Sequence, residues 1–110
     1  MSAPADSAAP ATFSFEPAGP TGFAVCGAMT FATARRLHEA GLRALGGSTA
    51  AELELDCSGV SAADSAGLAV LVDWLAWARH ARRTLHLRGV PAKLVDIARI
   101  SELDTLLVPG

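Results

Sequence analysis

Residues 51–68 read AELELDCSGVSAADSAGL, and the fold turns on how they are interpreted. Over residues 51–56, Leu53 and Leu55 alternate with Glu52, Glu54 and Asp56, the period-two pattern of a strand with one face in a core and the other in water. A turn-like stretch, residues 57–64, follows. From Ser65 apolar residues crowd at helical spacing through about residue 81. Residues 84–88 repeat the strand pattern, with Leu85 and Leu87 inward and Thr84, His86 and Arg88 outward. Strands covered by helices on both faces read as near-continuous apolar runs. These two carry Glu52, Glu54, Asp56, His86 and Arg88 on one face, so a doubly covered parallel sheet is excluded and the helices are expected on one face only.

Working outward, residues 12–16 alternate with Phe13 and Phe15 on one side, and residues 23–26 form a second strand after Pro17, Gly19, Pro20 and Gly22, as in a hairpin. Thr30 is placed to cap a helix over residues 31–45, whose apolar positions are Phe31, Ala34, Leu37, Gly41 and Leu45. Gly46 and Gly47 end it. Gly89-Val90-Pro91 opens a third helix carrying Leu94, Ile97 and Ala98, and residues 106–108 read as a last short strand. The order ββαβαβαβ predicts an α/β fold, a mixed sheet of four to five strands with crossover helices packed on one face. Residues 1–11, rich in Ala, Pro and Ser, are expected to be a disordered tail, and residues 12–110 one domain.

With 110 residues and 51% hydrophobic content the chain can bury one core. Charged residues are 18%, below the roughly 25% of an average domain, which suggests surface meant for a partner. A net charge of −2 and 5% aromatics without Tyr argue against nucleic acid. The most apolar stretch, residues 66–78, is too short to span a bilayer and contains Asp73, and the N-terminus lacks the pattern of a secretory signal. The chain is therefore expected to be cytoplasmic and not inserted in a membrane. Cys26 and Cys57 read as two buried, reduced thiols.

No catalytic set is evident. Ser65 lies in ADSAG, with Ala63 where a nucleophile elbow requires Gly. His38, His80 and His86 are scattered, no phosphate-binding loop is present, and alternation on an open sheet accounts for the Glu52, Glu54 and Asp56 carboxylates. No metal or cofactor is expected. The junction Asp64-Ser65-Ala66-Gly67 does have functional character: a crossover loop exposes the N-terminus of the next helix, with Asp64 as its cap and Ser65 as an accessible hydroxyl among small neighbours. A phosphate there would bring close to two negative charges to a small surface. The helix that follows has a wide apolar face. Leu68, Leu71, Val72, Leu75 and Ala78 form its stripe, and Val70, Trp74 and Trp77 extend it, so these three are candidate interface residues unless the monomer covers them.

Leu55-Asp56-Cys57-Ser58-Gly59-Val60 followed by Ala63-Asp64-Ser65-Ala66-Gly67-Leu68 resembles the core signature of STAS domains, the family of anti-sigma factor antagonists and related modules. Ala28-Met29-Thr30-Phe31-Ala32-Thr33, the run from Ser65 to Trp74, and the ending from Ile97 to Leu107 are most similar to the MlaB type. That resemblance implies a non-catalytic cytoplasmic subunit, peripheral to the inner membrane, that binds the ATPase of a phospholipid-trafficking ABC transporter (with its membrane permease) and serves outer-membrane lipid asymmetry. Ser65, Asp64, Ala66 and Gly67 would be its docking loop. The alternative implied by the wider family is an anti-sigma factor antagonist held by a kinase partner and switched by phosphorylation of Ser65. Gly27-Ala28-Met29-Thr30 lacks the acidic residue that many members of that branch carry near the phosphorylated Ser, which favours docking without phosphorylation.

Overall fold

A computed structural model describes residues 12–107. Four strands, β1 (Phe13–Pro17), β2 (Gly22–Met29), β3 (Glu52–Ala63) and β4 (Thr84–Arg88), form one sheet in the order β1-β2-β3-β4. The first pair is the antiparallel hairpin, with Ser14 opposite Cys26, and the other two pairings are parallel. The helices are α1 (Ala34–Gly46), α2 (Ser65–His80), α3 (Ala92–Ile100) and the single turn α4 (Asp104–Leu107). The alternation in β3 and β4 sorts as expected: Leu53, Leu55, Cys57, Leu85 and Leu87 are buried in the core, whereas Glu52, Glu54 and Asp56 face water.

Three expectations are corrected. Residues 57–64 do not form a turn: β3 continues to Ala63. It does so with two register shifts against β2, one between Ala24 and Cys26 and one between Gly27 and Ala28, each of which puts one extra residue on β3. Such bulges break the alternation that marks a strand, and Asp56 stabilises the first by accepting the Ser58 N–H at 2.9 Å. The first helix starts at Ala34, not Phe31, because Thr33 is fully buried and its hydroxyl donates to the Ala28 carbonyl at 2.8 Å while accepting the Thr30 N–H at 3.1 Å. Residues 30–33 are held in a separate turn, and Phe31 leaves the core stripe. At the other end, Leu106 and Leu107 lie in α4 and not in a strand, and Val108 falls outside the described residues. Glu102 adopts φ of 60°, and the Leu103 N–H reaches back to the Ala98 carbonyl at 2.7 Å, which closes α3 and turns the chain into α4.

The wide apolar face of α2 is explained within the monomer. Trp74 is fully buried between α1 and the hairpin: its indole N–H donates to the His38 carbonyl at 3.3 Å, and its ring meets Phe15 edge-on at 5.2 Å. Gly41 makes the space, since a Cβ there would run into the indole. Val70 is also buried, and Trp77 is half-buried beneath the Arg83 guanidinium, 5.4 Å from its ring. Val70 and Trp74 are therefore withdrawn as interface residues, because the intramolecular seam already covers them. Cys26 departs from expectation too: Cys57 is buried, but Cys26 is exposed beside Gly59. Among the described residues no helix is long and apolar enough to cross a membrane.

Candidate functional site

The junction between β3 and α2 is organised by one carboxylate. Asp64, half-buried, has extended backbone and caps α2 with Oδ1, which accepts the Ala66 N–H at 2.9 Å and the Gly67 N–H at 3.1 Å. Two of the helix's free donors are thereby satisfied, as a capping Asp should do. Its Oδ2 accepts a third N–H, that of Phe31, at 3.0 Å. Asp64 thus ties the turn after β2 to the start of α2, across 33 positions of sequence. A backbone bond from the Asp64 N–H to the Met29 carbonyl, 3.2 Å, runs alongside.

Gly67 lets these parts approach. It is buried, and a Cβ on it would run into the Met29 carbonyl. Ala66 is half-buried and Ser65 exposed. Of the four residues expected in the docking loop, then, Ser65 presents its side chain to solvent, Asp64 and Gly67 hold the loop in place, and Ala66 lies between these roles.

Beside Ser65 runs a groove between α2 and α3, about 260 Å3 in volume, whose walls include Leu68, Ala69, Val72, Ile97 and Leu103. Its carboxylate, Asp73, lies 3.4 Å from His38 Nε2. Two residues that sequence reasoning did not single out flank this corner. Phe31 and Ile100 are each 84% exposed, the most exposed large hydrophobic side chains described. Ile100 stands three residues beyond Ile97, hence next to it on the surface of α3. The signal for Phe31 was the pair Thr30 and Thr33: with two hydroxyl residues competing as cap, the later one sets the helix start and the Phe between them is left outside.

The open face of the sheet is chemically different. Glu52 meets His86 at 3.3 Å, Glu54 meets Arg88 at 3.1 Å, and the bonds from Ser58 hold the Asp56 carboxyl below its usual range. Each carboxylate is matched by its cross-strand or bulge neighbour, and among the described residues no group of three or more His, Cys, Asp or Glu could hold a metal ion. Cys57 is buried next to Asp56, and desolvation, with the neighbouring charge, pushes its thiol up to about 12. It is a core residue without nucleophilic character at neutral pH.

A one-faced α/β sheet with a capped helix start and an exposed Ser at one corner fits the STAS class, made up of regulatory and binding domains. Within it the chain belongs to the MlaB-type STAS family, which it matches over residues 17–109. Among solved structures, the anti-sigma factor antagonist SpoIIAA in its unphosphorylated form is similar to this chain with a TM-score of 0.67, covering 90% of this chain and 88% of its own, at 11% identity. That likeness is one of fold. No curated protein sequence matches the chain.

Proposed function

We propose that this protein is a non-catalytic regulatory and assembly subunit that binds the ATPase of an ABC transporter for phospholipid trafficking, at the cytoplasmic side of the inner membrane. The observation that carries the reading is the match to the MlaB type over residues 17–109. The chemistry of the corner is compatible with it. The turn near Ser65 is held by Thr33 and Asp64 through hydrogen bonds to backbone, with no acidic residue at positions 27–30. Ser65, Ala66 and the groove beside them offer a small hydroxyl and an apolar trough. That combination suits shape-driven docking. In this reading the subunit stabilises the active arrangement of its partner and touches neither nucleotide nor lipid.

A second reading is favoured by the likeness to SpoIIAA and by the exposure of Ser65: an anti-sigma factor antagonist released or held by phosphorylation of Ser65 by a kinase partner. Purification of the tagged chain from detergent-solubilised native cells, with mass spectrometry of its companions, separates the two. Recovery of an ABC ATPase with its permease is the expected result, and Ser65→Glu should weaken the complex without unfolding the subunit. Recovery of a soluble kinase, with one phosphate added to the wild type and none to Ser65→Ala, would replace the transporter reading by the switch.

A further inference from the structure

We propose that Phe31 is the anchor of the docking surface, entering an apolar pocket rimmed by carboxylates on a protein partner. The inference rests on the reading that the Ser65 corner is where a partner binds, and it names a residue and a partner chemistry which that reading lacks. Three observations carry it. First, Phe31 is 84% exposed at the tip of a turn whose ends, Thr30 and Thr33, are half-buried and buried. Second, its backbone is fixed: the Phe31 N–H is held by Asp64 at 3.0 Å, and Asp64 is itself locked by capping α2. A turn whose backbone is tied to the start of α2 is ordered before a partner arrives, which lowers the backbone entropy lost on binding. Third, the first turn of α1, which begins three residues after Phe31, holds the exposed Arg35 and, lying over the Phe13 ring, Arg36, and no acidic residue. The nearest carboxylate, Asp64, is enclosed by three N–H donors. An exposed aromatic residue with arginines on the adjoining helical turn matches the residue types enriched at the centres of protein interfaces, and the positive charge selects an acidic rim on the other side.

The groove between α2 and α3 extends the surface away from Phe31. Ser65 lines one part of it and Ile97 another, with Ile100 next on the same helix. The open sheet face carries paired charges and, among the described residues, has no comparable anchor.

The test uses the full chain with the partner it retains in its own cells. A photo-crosslinking phenylalanine analogue is placed at position 31, and in a control chain at position 52 on the open sheet face. Crosslinks from position 31 into a protein segment containing apolar residues and Asp or Glu are expected, with none from position 52. Phe31→Ala should weaken binding at least tenfold, Phe31→Trp should restore most of it, and Arg35→Glu should weaken it more at low salt than at high. If the crosslinked chain is not an ABC ATPase, the transporter reading fails and the anchor stands. If Phe31→Ala binds its partner within twofold of wild type, or if crosslinks come from position 52 alone, the anchor is overturned whatever the partner. Pelleting with anionic phospholipid vesicles that depends on Phe31, without a protein crosslink, would overturn it in favour of a membrane-inserting tip. A chain that retains no protein at all would overturn both proposals.

Discussion

The seam between α1 and α2 and the corner where α2 begins are built by opposite means. In the seam, an aromatic ring is taken wholly out of water: Trp74 fills the space left by Gly41 and keeps its one polar atom bonded to the His38 carbonyl. In the corner, an aromatic ring is left in water while the polar atoms do the holding, through a single carboxylate and three N–H groups. Burial of a large apolar side chain stabilises by roughly 1.5–3 kcal/mol, and the corner forgoes this at Phe31. Stability is thus concentrated in the seam, and the corner presents an apolar side chain that packing does not use. The two regions share α2, so a perturbation at either can be read against the other in one protein.

The largest effect is expected in the seam. Trp74→Ala should cost about 3–5 kcal/mol in urea unfolding, the usual range for emptying a buried Trp site. Gly41→Ala should cost about 1–3 kcal/mol by overpacking, because the added methyl has no room against the indole. A Gly41→Ala variant as stable as wild type would mean that the seam can open, and the contrast with the corner would weaken.

Next comes the core beneath the sheet, through pH. The Cys57 thiol, ordinarily near 9.0, is raised to about 12 by burial and by Asp56. Because the folded state holds this proton more tightly than the unfolded chain, its contribution is complete below pH 9 and is lost as pH rises toward 12. The slope approaches about 1.4 kcal/mol per pH unit in that window. Alkaline urea melts should therefore fall less steeply for Cys57→Ala than for wild type. The exposed Cys26 should react with a thiol reagent in the native protein, and Cys57 only on unfolding.

Much of this was legible in the chain. The alternation of Leu53 and Leu55 with Glu52 and Glu54 gave a one-faced sheet, and the Asp64-Ser65-Ala66-Gly67 stretch gave a capped helix start. What escaped were features decided by partners distant in sequence. The run from Cys57 to Ala63 is a strand because β2 pairs with it through two bulges, and no local pattern announces a bulge. Trp74 read as a candidate interface residue because its cover is a missing side chain, Gly41, 33 positions earlier. Glycine inside the apolar stripe of α1 was the available clue, since such a position marks close approach of something large. Phe31 reads as a core residue because Thr30 resembles a cap and places the helix start one turn early. The hydrogen bond from Thr33 to Ala28 that sets the true start links residues too alike to their neighbours for periodicity to separate.

In the corner the expected losses are smaller. Asp64→Ala removes the cap of α2 and should cost about 1–2 kcal/mol. Asp64→Ser should regain most of that, since a hydroxyl can cap the helix, yet it has no second oxygen for the Phe31 N–H. The pair of variants therefore separates stability from positioning. If Asp64→Ser recovers stability and still binds its partner poorly, with faster amide exchange at Phe31, then Asp64 acts on binding through the turn it holds. Full recovery of both would make the Phe31 bond incidental.

The smallest expected effect is the sharpest test of the comparison. Phe31→Ser should change unfolding stability by less than about 0.5 kcal/mol, because a ring 84% exposed contributes little packing. Its backbone N–H, which Asp64 holds, is retained by serine. Removal of the aromatic side chain from the seam, Trp74→Ala, would be felt several-fold more strongly. A Phe31→Ser loss above about 1.5 kcal/mol would mean that Phe31 packs in solution, against the groove or the first turn of α1, and that the corner is a second piece of core. A loss near zero leaves partner contact as the use that remains for an apolar ring so firmly positioned outside the core.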